Sequence, residues 1–101
     1  MEPVGGGYVK VEPVEVRIGD VIDLHTFKPR EVAGLLPEYF RCCIDKGIYT
    51  VRVVHGKGRG ILKHRVQHIL QTCPLVRAFR DAPAQAGGWG ATIVELRWPE
   101  E

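Results

Sequence analysis

A chain of 101 residues that is 45% apolar and 26% charged holds one globular domain, which excludes a disordered chain and two ordinary domains alike. No apolar run approaches the ~20 residues of a membrane span, and Met1-Glu2-Pro3-Val4-Gly5-Gly6-Gly7 lacks the basic start and apolar core of a secretory signal; a cytoplasmic protein with no membrane partner is expected. The net charge of +2 hides a segregation, because Lys46 to Arg80 holds eight Lys/Arg and no acid (+8), whereas the remainder holds six Lys/Arg against twelve acids (−6). A cationic stretch of this kind is the footprint of a protein that grips phosphates, although a solvated helix face is the commoner origin of a charge run.

Residues 1–13, with three consecutive glycines and two prolines, are expected to be a flexible lead-in to a single domain over 14–101. Val14 to Ile18 alternates apolar with charged residues and predicts a short edge strand. Val21, Ile22 and Leu24 form the first core strand. Asp23 and His25 lie two apart on it and share a face, so both can reach one ligand. Pro29 opens a helix, where its missing N–H costs nothing. Val32, Leu35, Leu36, Tyr39, Phe40 and Cys43 then make an apolar stripe at helical spacing. Pro37 implies a kink or a broken first turn, and Gly47 closes the helix in a left-handed conformation.

Tyr49, Val51, Val53 and Val54 make the second strand. His55-Gly56-Lys57-Gly58-Arg59-Gly60 turns it into a second helix (Ile61, Leu62, Val66, Ile69, Leu70) that stops at Pro74. Val76 to Phe79 is a third strand; a loop and Gly87-Gly88-Trp89-Gly90 lead to a last strand, Ala91 to Trp98. The order β-α-β-α-β-β predicts an α/β two-layer sandwich, a four-stranded mixed sheet with both helices on one face. Cys42, Cys43 and Cys73 are odd in number and lack metal-type spacing, and are expected as small buried apolar side chains.

Two islands carry the chemistry. Asp23-Leu24-His25 and the His55 loop each sit where a strand hands over to a helix, and such turns gather on one edge of a sheet, where ligands bind. A glycine-rich turn at a helix N-terminus offers backbone N–H groups and the positive end of the helix dipole, to which Lys57 and Arg59 add charge. It is not a Walker A loop, and close strand–helix packing also selects glycine. Asp23 and His25 could hold a divalent metal or form an oriented general base; the alternative is a carboxylate capping local amides beside a satisfied histidine. His64 and His68, one turn apart without a third ligand in register, read as surface polar residues. Trp89 could stack on a base or simply cover the sheet edge.

Ile22-Asp23-Leu24-His25, Val54-His55-Gly56-Lys57-Gly58 and Gly87-Gly88-Trp89-Gly90-Ala91-Thr92 together resemble three motifs of the Smr (small MutS-related) domain family, in order, from about Val21 to Arg97. The resemblance implies a fold like the C-terminal domain of translation initiation factor three. It also implies nucleic-acid binding and, in several members, an endonuclease that nicks DNA or cleaves RNA. Family roles would then fall on Asp23, His25 and His55 for catalysis, and on Gly56, Lys57 and Gly58 for nucleic acid. Arg59, Gly60, Lys63 and Trp89 are expected to extend that binding surface. Thr26-Phe27 departs from the family, which commonly has Gly after the first motif, and this bears on the shape of the first loop. Mg²⁺ or Mn²⁺ on Asp23 is a candidate cofactor; on RNA, two histidines with the 2′-hydroxyl as nucleophile could suffice. The competing classes are a non-catalytic module for structured or branched DNA or RNA, and a domain that docks on a repair or ribosome-associated protein.

Overall fold

The computed structural model describes residues 7–11, 14–58 and 60–99. Two strands, β1 (Tyr8–Val11) and β2 (Val14–Arg17), pair antiparallel as a separate ribbon. The domain proper follows as β3 (Val21–Asp23), α1 (Pro29–Asp45), β4 (Thr50–Val54), α2 (Ile61–Thr72), β5 (Val76–Asp81) and β6 (Ala91–Leu96). Two expectations change here. Tyr8–Val11, inside the expected lead-in, is a strand, while residues 1–6, 12 and 13 lie outside the described residues. The strand beginning at Val14 is no edge of the main sheet, because its partner is β1, whose Val9 is buried in the core and whose Val11 lies beside Gly34 of α1.

The four-stranded sheet has the order β3-β4-β6-β5. β3 and β4 are parallel, and β6 runs antiparallel to both β4 and β5. β3, β4 and β5 thus share a direction, as strands joined by crossover helices do, and the closing strand returns against them. Its position is the unexpected part: β6 is inserted between β4 and β5. Alternate residues enter the core from one face of the sheet, with Ile22, Val51, Val53, Val94 and Leu96 packed among Val32, Leu36, Val66 and Leu70 of the two helices. On the opposite face Arg77 and Arg80 both pair with Glu95, at 2.7 and 2.5 Å.

Helix α1 starts at Pro29, and the Glu31 carboxylate accepts a hydrogen bond from the Lys28 amide at 3.0 Å. It runs unbroken through Pro37, so of the two expected outcomes, a kink or a broken first turn, the break does not occur. Its C-terminus closes as expected. Gly47 has φ +79°, and the Gly47 and Ile48 amides donate back to the carbonyls of Ile44 and Cys43, the crossed pair of bonds that ends a helix on glycine. Tyr39, buried in the α1 stripe, donates its hydroxyl to the Gly19 carbonyl at 2.6 Å and accepts from the Gly19 amide at 3.1 Å. That tie pins the entry to β3, and hence the strand that carries Asp23.

Candidate nucleic-acid interface

Parallel register brings the two motifs side by side. Asp23 of β3 stands opposite Val54 of β4, so His25 and Gly56, each two residues further on, leave the sheet together. The Leu24 amide donates to the Val54 carbonyl at 2.7 Å, and a Cβ placed on Gly56 would lie 3.7 Å from the His25 Cβ. Leu24 is fully buried, while Asp23 and His25 emerge on either side of it. The strand alternation thus anchors a polar pair through the apolar residue between them.

Asp23 Oδ1 accepts from His25 twice, from the backbone amide at 3.0 Å and from ring Nδ1 at 2.5 Å. The second bond places the ring proton on Nδ1 and leaves Nε2 as the free nitrogen of a side chain that is 59% exposed. Slight burial pushes the Asp23 carboxyl up, but the side-chain and backbone hydrogen bonds from His25 and its charge outweigh this and hold it below the usual 3.8. Asp23 therefore stays ionised and holds the imidazole in one tautomer and orientation, which is what a general base requires.

His55 has a different character. Only 4% of it is exposed. Its Nδ1 lies 3.1 Å from the Gly56 carbonyl and its Nε2 2.9 Å from the Thr92 hydroxyl. A carbonyl can only accept, so Nδ1 carries the proton and Thr92 donates to Nε2. Burial lowers its pKa below the usual 6.5, and the Lys63 charge adds to this against the opposing Gly56 carbonyl and Asp81. Both ring nitrogens are thus engaged in holding the loop, and neither is left for a substrate. His55 lines the site as a strut between β4 and β6.

The loop after His55 is braced from β6. The Gly90 carbonyl accepts from the amides of His55 and Gly56, at 3.1 and 2.9 Å. A Cβ on Gly90 would sit 3.0 Å from Lys57 Cγ, so a larger residue there would have to push the Lys57 side chain aside. Gly56, Gly58 and Gly60 all have positive φ, a conformation that glycine adopts without strain. Helix α2 follows with no side-chain cap and no acid in its first turn. Its first amides and the positive end of its dipole are open to an anion. Lys57 is exposed and has no ion-pair partner among the described residues. Arg59 lies outside the described residues.

These groups meet in a cleft of about 370 Å³ lined by His25, Phe27, His55, Lys57, Ile61 and Lys63 with the glycines of the loop. Lys63 is only 16% exposed, pairs with Asp81 at 3.1 Å and lies 5.2 Å from the centre of the Trp89 ring. Its charge is largely committed within the fold, and one face of Trp89 is taken by it. Trp89 stands at the margin of the cleft rather than in its wall. Phe27, singled out for its departure in the first loop, lines the cleft; Thr92, which faces His55, belongs to the site and was not foreseen as part of it. A polar residue at an inward position of β6, in register with Val53, is the signal for Thr92.

The donors for a divalent cation are thin. No group of three or more His, Cys, Asp or Glu side chains among the described residues is placed to hold a metal. No carboxylate among the described residues lines the cleft, and Oδ1 of Asp23 is already used twice by His25. This set does not fit Mg²⁺ or Mn²⁺, which take oxygen ligands and several waters. Cys42, Cys43 and Cys73 are free thiols, and burial pushes Cys43 up to about 12, so it is no nucleophile. No helix among the described residues is long and apolar enough to cross a membrane.

Comparison with known proteins gives a consistent picture. The Smr domain family model matches residues 22–97. The Smr domain of Thermus thermophilus MutS2 superposes with a TM-score of 0.74 at 32% identity, covering 78% of this chain and 99% of that one. The stand-alone small MutS-related protein YdaL from Escherichia coli gives 0.71 at 26% identity over 77% of this chain and 64% of its own. Among curated relatives, ribosome rescue factor SmrB from Aliivibrio fischeri is 37% identical over 86 residues, 84% of this chain and 49% of the relative. Endonuclease MutS2 from Caldicellulosiruptor saccharolyticus is 40% identical over 60 residues, 59% of this chain and 8% of the relative. The chain spans about half the length of SmrB and a tenth or less of MutS2.

Proposed function

The chain belongs to the Smr domain family, and from that membership and the geometry of its cleft we propose a nucleic-acid-binding endonuclease that cleaves RNA. One observation carries the reading: an Asp-oriented imidazole with a free Nε2 stands against a glycine-rich loop that offers amides and a lysine to one phosphate. Names among the relatives, an endonuclease and a ribosome rescue factor, support it.

In this reading the phosphodiester sits on the amides of Lys57, Gly58 and Gly60 and on the Lys57 ammonium, which neutralise charge as it grows on the non-bridging oxygens. His25 Nε2 takes the proton of the ribose 2′-hydroxyl, and Asp23 stabilises the imidazolium that results. The 2′-oxygen forms its bond to phosphorus as the bond to the 5′-oxygen breaks, and the leaving oxygen takes a proton from solvent. The products are a 2′,3′-cyclic phosphate and a 5′-hydroxyl. RNA is preferred over DNA because its own hydroxyl supplies the nucleophile, so that one histidine suffices where the donor set for a metal is poor. His55 holds the loop rather than moving protons, in contrast to the catalytic role suggested by its motif.

The test is cleavage of structured RNA and of supercoiled plasmid, with Mg²⁺, with Mn²⁺ and with EDTA, by the parent, His25→Ala and Lys57→Ala proteins. The expected result is cleavage of RNA that persists in EDTA, vanishes in His25→Ala with binding retained, and is lost with binding in Lys57→Ala. A parent that binds RNA without cutting it makes this a binding module, and cleavage that survives His25→Ala removes the proposed base. Plasmid nicking that disappears in EDTA overturns the metal-free route.

A further inference from the structure

Helix α2 carries a second hollow that the cleft does not use. It measures about 560 Å³ and is lined by Gly60, Ile61, His64, Arg65 and His68. Gly60 and Ile61 line both hollows, so the two adjoin, with exposed Ile61 as the ridge where they meet. Ile61 is 63% exposed and lies off the buried stripe of its helix, Val66, Ile69 and Leu70, so its apolar face is open to whatever enters either hollow. Beyond the ridge, His64, Arg65 and His68 present nitrogen donors along one exposed helical flank. Helix α2 contains no Asp or Glu, and Arg65 has no ion-pair partner among the described residues. An unpartnered arginine between two imidazoles, beside an exposed apolar ridge and next to a phosphate site, suits an alternating polymer of anions and flat apolar faces.

We infer that this hollow is a second subsite, which holds the nucleotide adjoining the scissile phosphate of a single-stranded RNA. A base or sugar face rests on Ile61 and the next phosphate meets Arg65, flanked by His64 and His68. The inference rests on the nucleic-acid reading above and adds to it a strand path and a preference for unpaired substrate. Single strand is favoured over duplex because both hollows lie in the size range of small-ligand pockets, hundreds of Å³. Only unstacked bases can be splayed into recesses on either side of a ridge, whereas the bases of an A-form duplex stay stacked.

The experiment compares a dinucleotide, a single-stranded 12-mer and the same 12-mer in duplex, measuring binding and its salt dependence for the parent, Arg65→Gln, Ile61→Ala and Lys57→Ala proteins. All three substituted positions are exposed or lie in a loop, and near-ultraviolet circular dichroism verifies the fold of each. Arg65→Gln is expected to weaken the single-stranded 12-mer about 5- to 10-fold, to make its salt slope shallower by roughly 0.7, the value of one phosphate contact on a single strand, and to leave the dinucleotide unchanged. Ile61→Ala is expected to weaken the 12-mer without changing the slope. Unchanged 12-mer binding in Arg65→Gln, alongside a loss in Lys57→Ala, overturns the subsite and leaves the cleft reading standing. Equal sensitivity of duplex and single strand to Arg65→Gln overturns the strand preference, and a parent that binds none of the three overturns both readings.

Discussion

Replacing Asp23 by Asn keeps the shape of the side chain but removes the charge that holds His25 Nδ1–H and stabilises an imidazolium. Single-turnover RNA cleavage is expected to fall by about 10²-fold or more, while RNA affinity stays within about twofold of the parent. A parallel fall in affinity would assign Asp23 to binding. His55 predicts something different, because it is neutral in the fold and protonates near its ordinary 6.5 once unfolded. The unfolded chain then binds more protons as the medium acidifies. The stabilisation is present above that pH and is lost as pH falls below it. Urea midpoints measured from pH 7.5 to 5 should therefore drop on the acid side, and less so in His55→Gln. Thr92→Val, which takes away the hydroxyl facing Nε2, should cost about 1–3 kcal/mol by leaving a buried acceptor unpaired. At this scale the Asp23–His25 pair was legible, because a period of two puts both on one face. The burial of His55 was not, since its partner Thr92 lies 37 residues away. The commitment of Lys63 was hidden for a related reason: its partner Asp81 is the first residue beyond the acid-free run.

Elements place these groups, and two of them do so through one residue each. Leu24 is fully buried between the two polar members of the dyad, so Leu24→Ala should cost about 2–5 kcal/mol. It should also lower cleavage in protein that is still folded, because the strand end is no longer anchored; activity and circular dichroism measured on the same sample separate the two. Gly90 sets the position of the Lys57 loop from the start of β6. Gly90→Ala must displace the Lys57 stem, and weaker RNA binding at little cost in thermal stability is the expected outcome. The helices and their ends were readable from stripe, proline and glycine alone. Strand order was not, since adjacency of β4 and β6 depends on long-range pairing, to which local alternation is blind. The strand at Val14 was readable from its alternation, but its partner β1 was missed because a glycine-rich start looks like a lead-in until Val9 is seen to be buried in the core.

For the whole molecule, the charge division of the sequence survives folding in part. Helix α2 carries cations and no acid into the site, and Arg77 and Arg80 are gathered onto the opposite face of the sheet by Glu95. Affinity for RNA should therefore depend on few phosphate contacts and decline gently with salt, with a slope of roughly −0.7 for each phosphate neutralised on a single strand. The insertion of β6 between β4 and β5 has a consequence in time. A ribosome making this chain delivers β3, α1, β4, α2 and β5 before the strand that joins β4 to β5. Until residues 91–96 have emerged, Gly90 has no β6 to fix it as the brace of the Lys57 loop and His55 has no Thr92 to face. The bracing of the Lys57 loop is thus the last step in the assembly of the site, and it waits on a strand that local contacts cannot supply.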